Sequence, residues 1–228
     1  FPRLLAIAEL GWTPRERRLW ADFRRRVNSQ IPRLLARGVN AFTLSNDVEI
    51  TARIVREGRK ARVTLDTEKY PAEVRYTLDG SDPTADDPAY TAPITITETT
   101  IVRAASFPAD ALPGKPATWS YFLRENSTLP VVSLVTDPDN LTGAQGIYSN
   151  HERAWSEKWE REATVAMYED GGEFSIDCGI RMHGRTSRRV SEKKSFTLKF
   201  RGRYGGDLNY DVFGDGVVTD FSSLLLRA

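Results

Sequence analysis

Apolar residues recur at helical spacing through the first 38 positions and then change to strict alternation. In PRLLAIAELG, Leu4, Leu5, Ile7 and Ala8 share one helical face, and Gly11 suits the left-handed residue that ends a helix. TPRE gives a second start: Thr13 as cap, Pro14 at the first helical position, and Glu16 completing a capping box. Leu19, Trp20, Phe23 and Val27 continue as one stripe, Pro32 interrupts it, and Gly38 closes it.

From Val48 the period is two. VEITARIV, ARVTLDT, EVRYTLDG, PITITETTIVRAASF and TWSYFL are short alternating runs separated by Gly, Pro and Asp, which predicts a small β-sandwich. Val74, Tyr76 and Leu78 alternate inward before the turn pair Asp79-Gly80. Farther on, LPVVSLVTD predicts a short buried strand, and two more strands join at Asp170-Gly171-Gly172. On the second of these, Ile176, Cys178, Ile180 and Met182 share one face, leaving Arg181 and His183 on the other. In KKSFTLKF a lysine, Lys194, heads the apolar row of Phe196, Leu198 and Phe200. A buried ammonium is costly, so Lys194 is expected either to snorkel to water or to meet a carboxylate or phosphate.

The 228 residues are 40% hydrophobic, enough to bury a sizeable core, and no apolar run approaches the length of a membrane span. Net charge is only +1, yet nine of the thirteen basic residues beyond position 125 lie between Arg181 and Arg203. The arginines of the first segment lie opposite an apolar stripe, so a solvated helix face is expected there and not a nucleic-acid surface. Cys178 is the single cysteine, which excludes an internal disulfide and a Cys-based metal site. Neither His151 nor His183 forms a zinc set with it. Asn126 and Asn140 stand in glycosylation sequons, relevant only in a eukaryotic secretory pathway. Both termini fall within amphipathic or apolar runs, which predicts a piece of a longer protein whose leader can have been removed.

Three family resemblances follow the three segments. FPRLLAIAELGWTP, WADFRRRV and RLLARGVNAF resemble the end of a family 20 glycoside hydrolase, a β-N-acetylhexosaminidase, over about the first 42 residues. The resemblance implies closing helices of a (β/α)8 barrel, with the catalytic Asp-Glu pair upstream of Phe1. No catalytic residue carries over, and Glu9 is expected to be structural. YTLDGSDPTADDPAYTAPI resembles the C-terminal Ig-like module of chitobiases and hexosaminidases, from about Val48 to Tyr121. That resemblance implies an accessory module. Asp79, Asp82, Asp86 and Asp87 lack the spacing of a twelve-residue calcium loop and are read as turn stabilisers. The module has no row of exposed aromatics, and Tyr70, Tyr90 and Trp119 are as consistent with a core as with a sugar platform.

WEREATVAMYEDGG, CGIRMHGRTSRRVSEKKSFTLKF and YGGDLNYDVFGD resemble the spore-coat CotH family, an atypical kinase fold. This resemblance implies ATP with a divalent metal as cofactors, Lys194 as the phosphate-contacting strand lysine, and Arg188 or Lys193 beside it. The family's metal-binding and catalytic acids would lie beyond Ala228, and no standard glycine-rich phosphate loop is present. The competing reading of the basic stretch is a solvated sheet edge guarded by Lys and Arg against strand pairing.

The expected organisation is therefore multidomain: barrel-closing helices in 1–46, an all-β Ig-like sandwich in 47–125, and a truncated, mostly-β α+β CotH-like unit in 126–228. Three functions are weighed. The first is a secreted, periplasmic or envelope-associated parent acting on an N-acetylhexosamine-containing glycan. The second is a phosphotransferase acting on an envelope or coat protein. The third is a non-catalytic surface module.

Overall fold

The fold opens on two helices whose apolar stripes are only partly covered. The structure, a computed structural model, describes residues 2–41, 46–55, 60–67, 73–109, 112–123, 127–169 and 172–228. Tyr70, Asn126 and the Asp170-Gly171 turn lie outside them. Helix α1 (Pro2–Trp12) runs through Gly11, and the expected capping box does not form. Pro14 instead precedes a short 3-10 turn at Arg15–Arg17, and α2 (Trp20–Ala36) begins after Leu19 without a side-chain cap. Pro32 sits within α2, and Gly38, at φ +71°, supplies the left-handed exit. Arg26 ties the pair together, donating to Glu9 on α1 at 2.7 and 3.0 Å and to Asp22 one turn back at 2.8 Å. Glu9 is thus a structural carboxylate.

Alternation then builds two three-stranded sheets. Strands β1 (Val48–Val55), β2 (Lys60–Thr67), β3 (Glu73–Thr77), β4 (Ile94–Ile96), β5 (Thr100–Phe107) and β6 (Ala117–Tyr121) assemble as β1-β2-β4 and β3-β5-β6, all antiparallel. Strand β2 alternates without exception, burying Ala61, Val63, Leu65 and Thr67. These meet Val74, Ile96, Val102, Ala104 and Tyr121 in one core, with Tyr90 and Trp119 packed at its margin. The inward row ends earlier than its pattern predicts: Val74 is buried, but Leu78 is 42% exposed. The chain leaves the strand at Thr77, whose hydroxyl bonds the Ser81 carbonyl at 2.7 Å, and Gly80 takes φ +89° in the turn.

The third unit is a five-stranded antiparallel sheet. Strand β7 (Val131–Val135) leads through α3 (Pro138–Thr142) to the long pair β8 (Arg161–Glu169) and β9 (Gly172–His183). After α4 (Ser187–Val190) comes β10 (Ser195–Lys199); β11 (Leu208–Asn209) and β12 (Asp220–Phe221) pair with each other, and β13 (Ser223–Leu226) completes the order β13-β10-β9-β8-β7. The expected face is present: Cys178, Ile180 and Met182 pack with Leu198 and Phe200, covered by Ile147 and Ala154 of the preceding loop. Burial beside Asp177 and Glu160 pushes the Cys178 thiol up to about 12, so it is protonated and inert. Two expectations are corrected. Strand β7 is an edge strand with Val132 exposed, and β10 is interior, because β13 returns to pair with it. The basic stretch is consequently not a guarded sheet edge.

One buried carboxylate fastens this sheet. The Glu160 side chain, at the threshold of β8, has no solvent exposure. It accepts from Arg201 Nε at 3.0 Å and Nη2 at 3.1 Å, from the Tyr204 hydroxyl at 3.2 Å, and from Arg203. Burial opposes its ionisation, but the two guanidinium groups outweigh that and hold its pKa below the ordinary 4.5. It lies directly over Gly179, where a Cβ would stand 2.5 Å from Oε1 and 2.6 Å from Cδ. Gly179→Ala should therefore cost about 1–3 kcal/mol through overpacking, read as a lowered urea midpoint. Because the native pKa is depressed, the Glu160 contribution is full above the unfolded value and disappears as pH falls through the native one. Glu160→Gln should lower stability at pH 7 and flatten the stability profile below pH 5 (roughly the onset of carboxylate titration), measured by urea titrations across pH.

Candidate functional site

Where β9, β10 and β13 end together, the sheet face opposite the core opens into a cleft of about 560 Å³. Register places it: Ser195 pairs with His183 and Thr197 with both Arg181 and Leu225, so these side chains share the reverse face. The lining is His183, Gly184, Ser187, Ser191, Lys193, Ser195, Leu225 and Arg227, closed by Ala228. It contains two cations, three hydroxyls and an imidazole, and no Asp or Glu side chain. His183 Nδ1 shares a hydrogen bond with the Thr197 hydroxyl at 3.0 Å, which fixes the ring and leaves Nε2 as its second polar edge.

The three residues proposed from sequence do not converge. Lys193 lines the cleft, exposed. Lys194 goes the other way: just before β10 begins, its ammonium donates to the carbonyls of Ser191 at 2.6 Å and Arg188 at 2.9 Å. The chain bends at Lys193 before β10 begins, so the two consecutive lysines leave it in different directions. The protein groups that Lys194 meets are carbonyls at the end of α4, which attract cations. Arg188 is buried, donating to the carbonyls of Glu152 at 3.2 Å and of Gly184, with its guanidinium 5.8 Å from the centre of the Trp155 ring. Arg188 and Lys194 together pin α4 and the 150s loop onto the sheet.

Charge around the cleft is uncompensated. Among the described residues, Arg181, Arg185, Arg189, Lys193 and Arg227 have no carboxylate within ion-pair distance, whereas Arg201 and Arg203 are bound to Glu160. Such a lining suits an anionic group. Ser187, Ser191, Ser195 and Arg227 were not singled out in sequence. Arg227 carries a signal in retrospect, as the cation ending the alternating LLLRA, but only the return of β13 brings it beside Ser195.

The aspartates of the sandwich are engaged locally. Asp79 accepts from the Ser81 amide at 3.0 Å and hydroxyl at 2.6 Å, and Asp87 accepts from the Thr84 amide and hydroxyl, each at 2.7 Å. Asp82 pairs with buried Arg103. Among the described residues no three His, Cys, Asp or Glu side chains come together as a metal-holding group. No described helix is long and apolar enough to cross a membrane.

Comparison with known proteins places the sandwich. Residues 55–113 match the family described as the chitobiase/beta-hexosaminidase C-terminal domain. A beta-hexosaminidase of Porphyromonas gingivalis (strain ATCC BAA-308 / W83) is 35% identical over 104 residues, which is 45% of this chain. The chain covers 13% of the length of that relative. The hexosaminidase-related module expected from sequence is thereby found.

Lys194→Met should lower stability by about 1 kcal/mol, because two partly buried hydrogen bonds to carbonyl groups are lost. Lys193→Ala should stay within about 0.5 kcal/mol of the parent sequence, as exposed substitutions do. Paired urea titrations distinguish the two lysines.

Proposed function

We propose that this chain belongs to a secreted or envelope-associated carbohydrate-processing protein of the β-N-acetylhexosaminidase type, with the sandwich as its accessory module. The observation that carries the reading is the match of residues 55–113 to a hexosaminidase C-terminal domain, reinforced by 35% identity to a beta-hexosaminidase. The first two helices support it independently. Leu4, Ile7, Leu10, Trp12, Leu19 and Trp20 are all exposed, Trp12 at 90% and Trp20 at 70%. So large an uncovered apolar surface marks a contact face, as the outer helices of a barrel require. In this reading the catalytic carboxylates lie in the barrel, and 1–46 contributes packing and not chemistry. The parent protein should release nitrophenol from a nitrophenyl N-acetyl-β-glucosaminide, while residues 1–228 alone should not. An intact parent inert on this and on chitobiose overturns the reading.

One observation favours a second activity alongside the first. The unpaired cations around the cleft suit a nucleotide phosphate, as a CotH-type phosphotransferase acting on an envelope or coat protein would need, with ATP and a divalent metal as cofactors. Lys193, and not Lys194 or Arg188, is then the residue poised for contact. In a protein extended beyond Ala228, ATP with magnesium should raise the melting temperature, and Lys193→Ala should reduce that rise. No rise in the extended protein counts against it.

A further inference from the structure

We propose that the sandwich is a rigid coupler: it holds α2 against one of its sheets and the five-stranded unit against the other, fixing their relative orientation. Neighbouring units in one chain usually move against each other unless their interface is extensive. Here the second junction is made at three separate places, and three points not in line remove every rotation that a single linker would leave.

The first point is the Asp79–Asp82 turn. Gly80 faces both units there: a Cβ on it would be in ordinary van der Waals contact with Val135 of β7, at 3.9 Å, and with Ile101 of β5, at 3.7 Å. Buried Arg103 holds the turn from beneath, donating to the Gly80 carbonyl at 3.0 Å and pairing with Asp82. The Asp82 amide then donates to Asp137 at 2.9 Å, and the other oxygen of Asp137 caps α3 through the Asp139 amide at 2.9 Å. One carboxylate thus binds both units.

The second point is β6. Tyr168 of β8 stands between Trp119 and Phe122, with ring centres at 5.8 and 5.4 Å in edge-on contact, and its hydroxyl accepts from the Ser120 amide at 3.3 Å. The hydroxyls of Ser120 and Ser133 meet at 2.7 Å. The third point is Lys115, 3.2 Å from Asp177 of β9 and 3.8 Å from Glu162 of β8. On the other sheet, Arg24 of α2 pairs with Asp66 at 2.8 Å and donates to the Thr67 carbonyl.

The specific D-G-S-D turn therefore acts as a joint, and the proposal is independent of both functional readings. Its test is a distance measurement on the full chain, with nitroxide labels at exposed Thr64→Cys on β2 and Glu173→Cys on β9; buried Cys178 stays unlabelled. Double electron–electron resonance should give one narrow distribution. Tyr168→Ala with Asp137→Ala should broaden it while circular dichroism stays native, and Lys115→Ala should broaden it less. A broad or multiple distribution in the wild-type sequence overturns the coupler. A narrow one that persists in the folded double variant overturns these contacts as its cause. If the double variant unfolds, Lys115→Ala with Ser120→Ala takes its place and is judged by the same two outcomes.

Discussion

A carboxylate without access to water decides how the third unit closes. The Glu160 carboxylate is held ionised by Arg201 and Arg203, which reach it from beyond β10 across a strand that has glycine at the crossing point. Isolated burial of that charge would be prohibitive, so folding of β8 and return of the chain after β10 are coupled. Once the return is fixed, β13 can pair with β10, and the cleft at the strand ends exists.

The same economy governs the polar groups elsewhere. Most of the conspicuous charges act on backbone or on each other: Lys194 and Arg188 on carbonyl groups around α4, Arg103 on the Gly80 turn, Arg26 on the helix pair. Of the cations without a carboxylate partner, Lys193 and Arg227 stand in the cleft, with Arg181, Arg185 and Arg189 close to it in the chain.

Much of the architecture was legible from periodicity. Strand β2 buries every second residue, and the Cys178, Ile180, Met182 face of β9 meets Leu198 and Phe200 as alternation predicts. Signals resting on one or two residues fared worse. Thr13 does not cap because Pro14 leads into a 3-10 turn, and Leu78 is exposed because the chain turns at Thr77. Lys194 was correctly marked as anomalous, but its partner is a set of carbonyls six and three residues back. Nothing in a linear pattern distinguishes those from a phosphate.

By itself the sequence determined where most helices and strands lie and which faces are apolar, since these depend on residue spacing and local turn chemistry; the hexosaminidase-type module of the middle segment came from the resemblance carried by its D-G-S-D-P-T stretch. Tertiary structure alone decided that β10 is interior, that Lys193 and Arg227 share a cleft while Lys194 turns away, and that the Asp79–Asp82 turn docks on Asp137. These are matters of which segments return to one another across tens of residues, and that is settled by the packing and charge pairing of the whole chain.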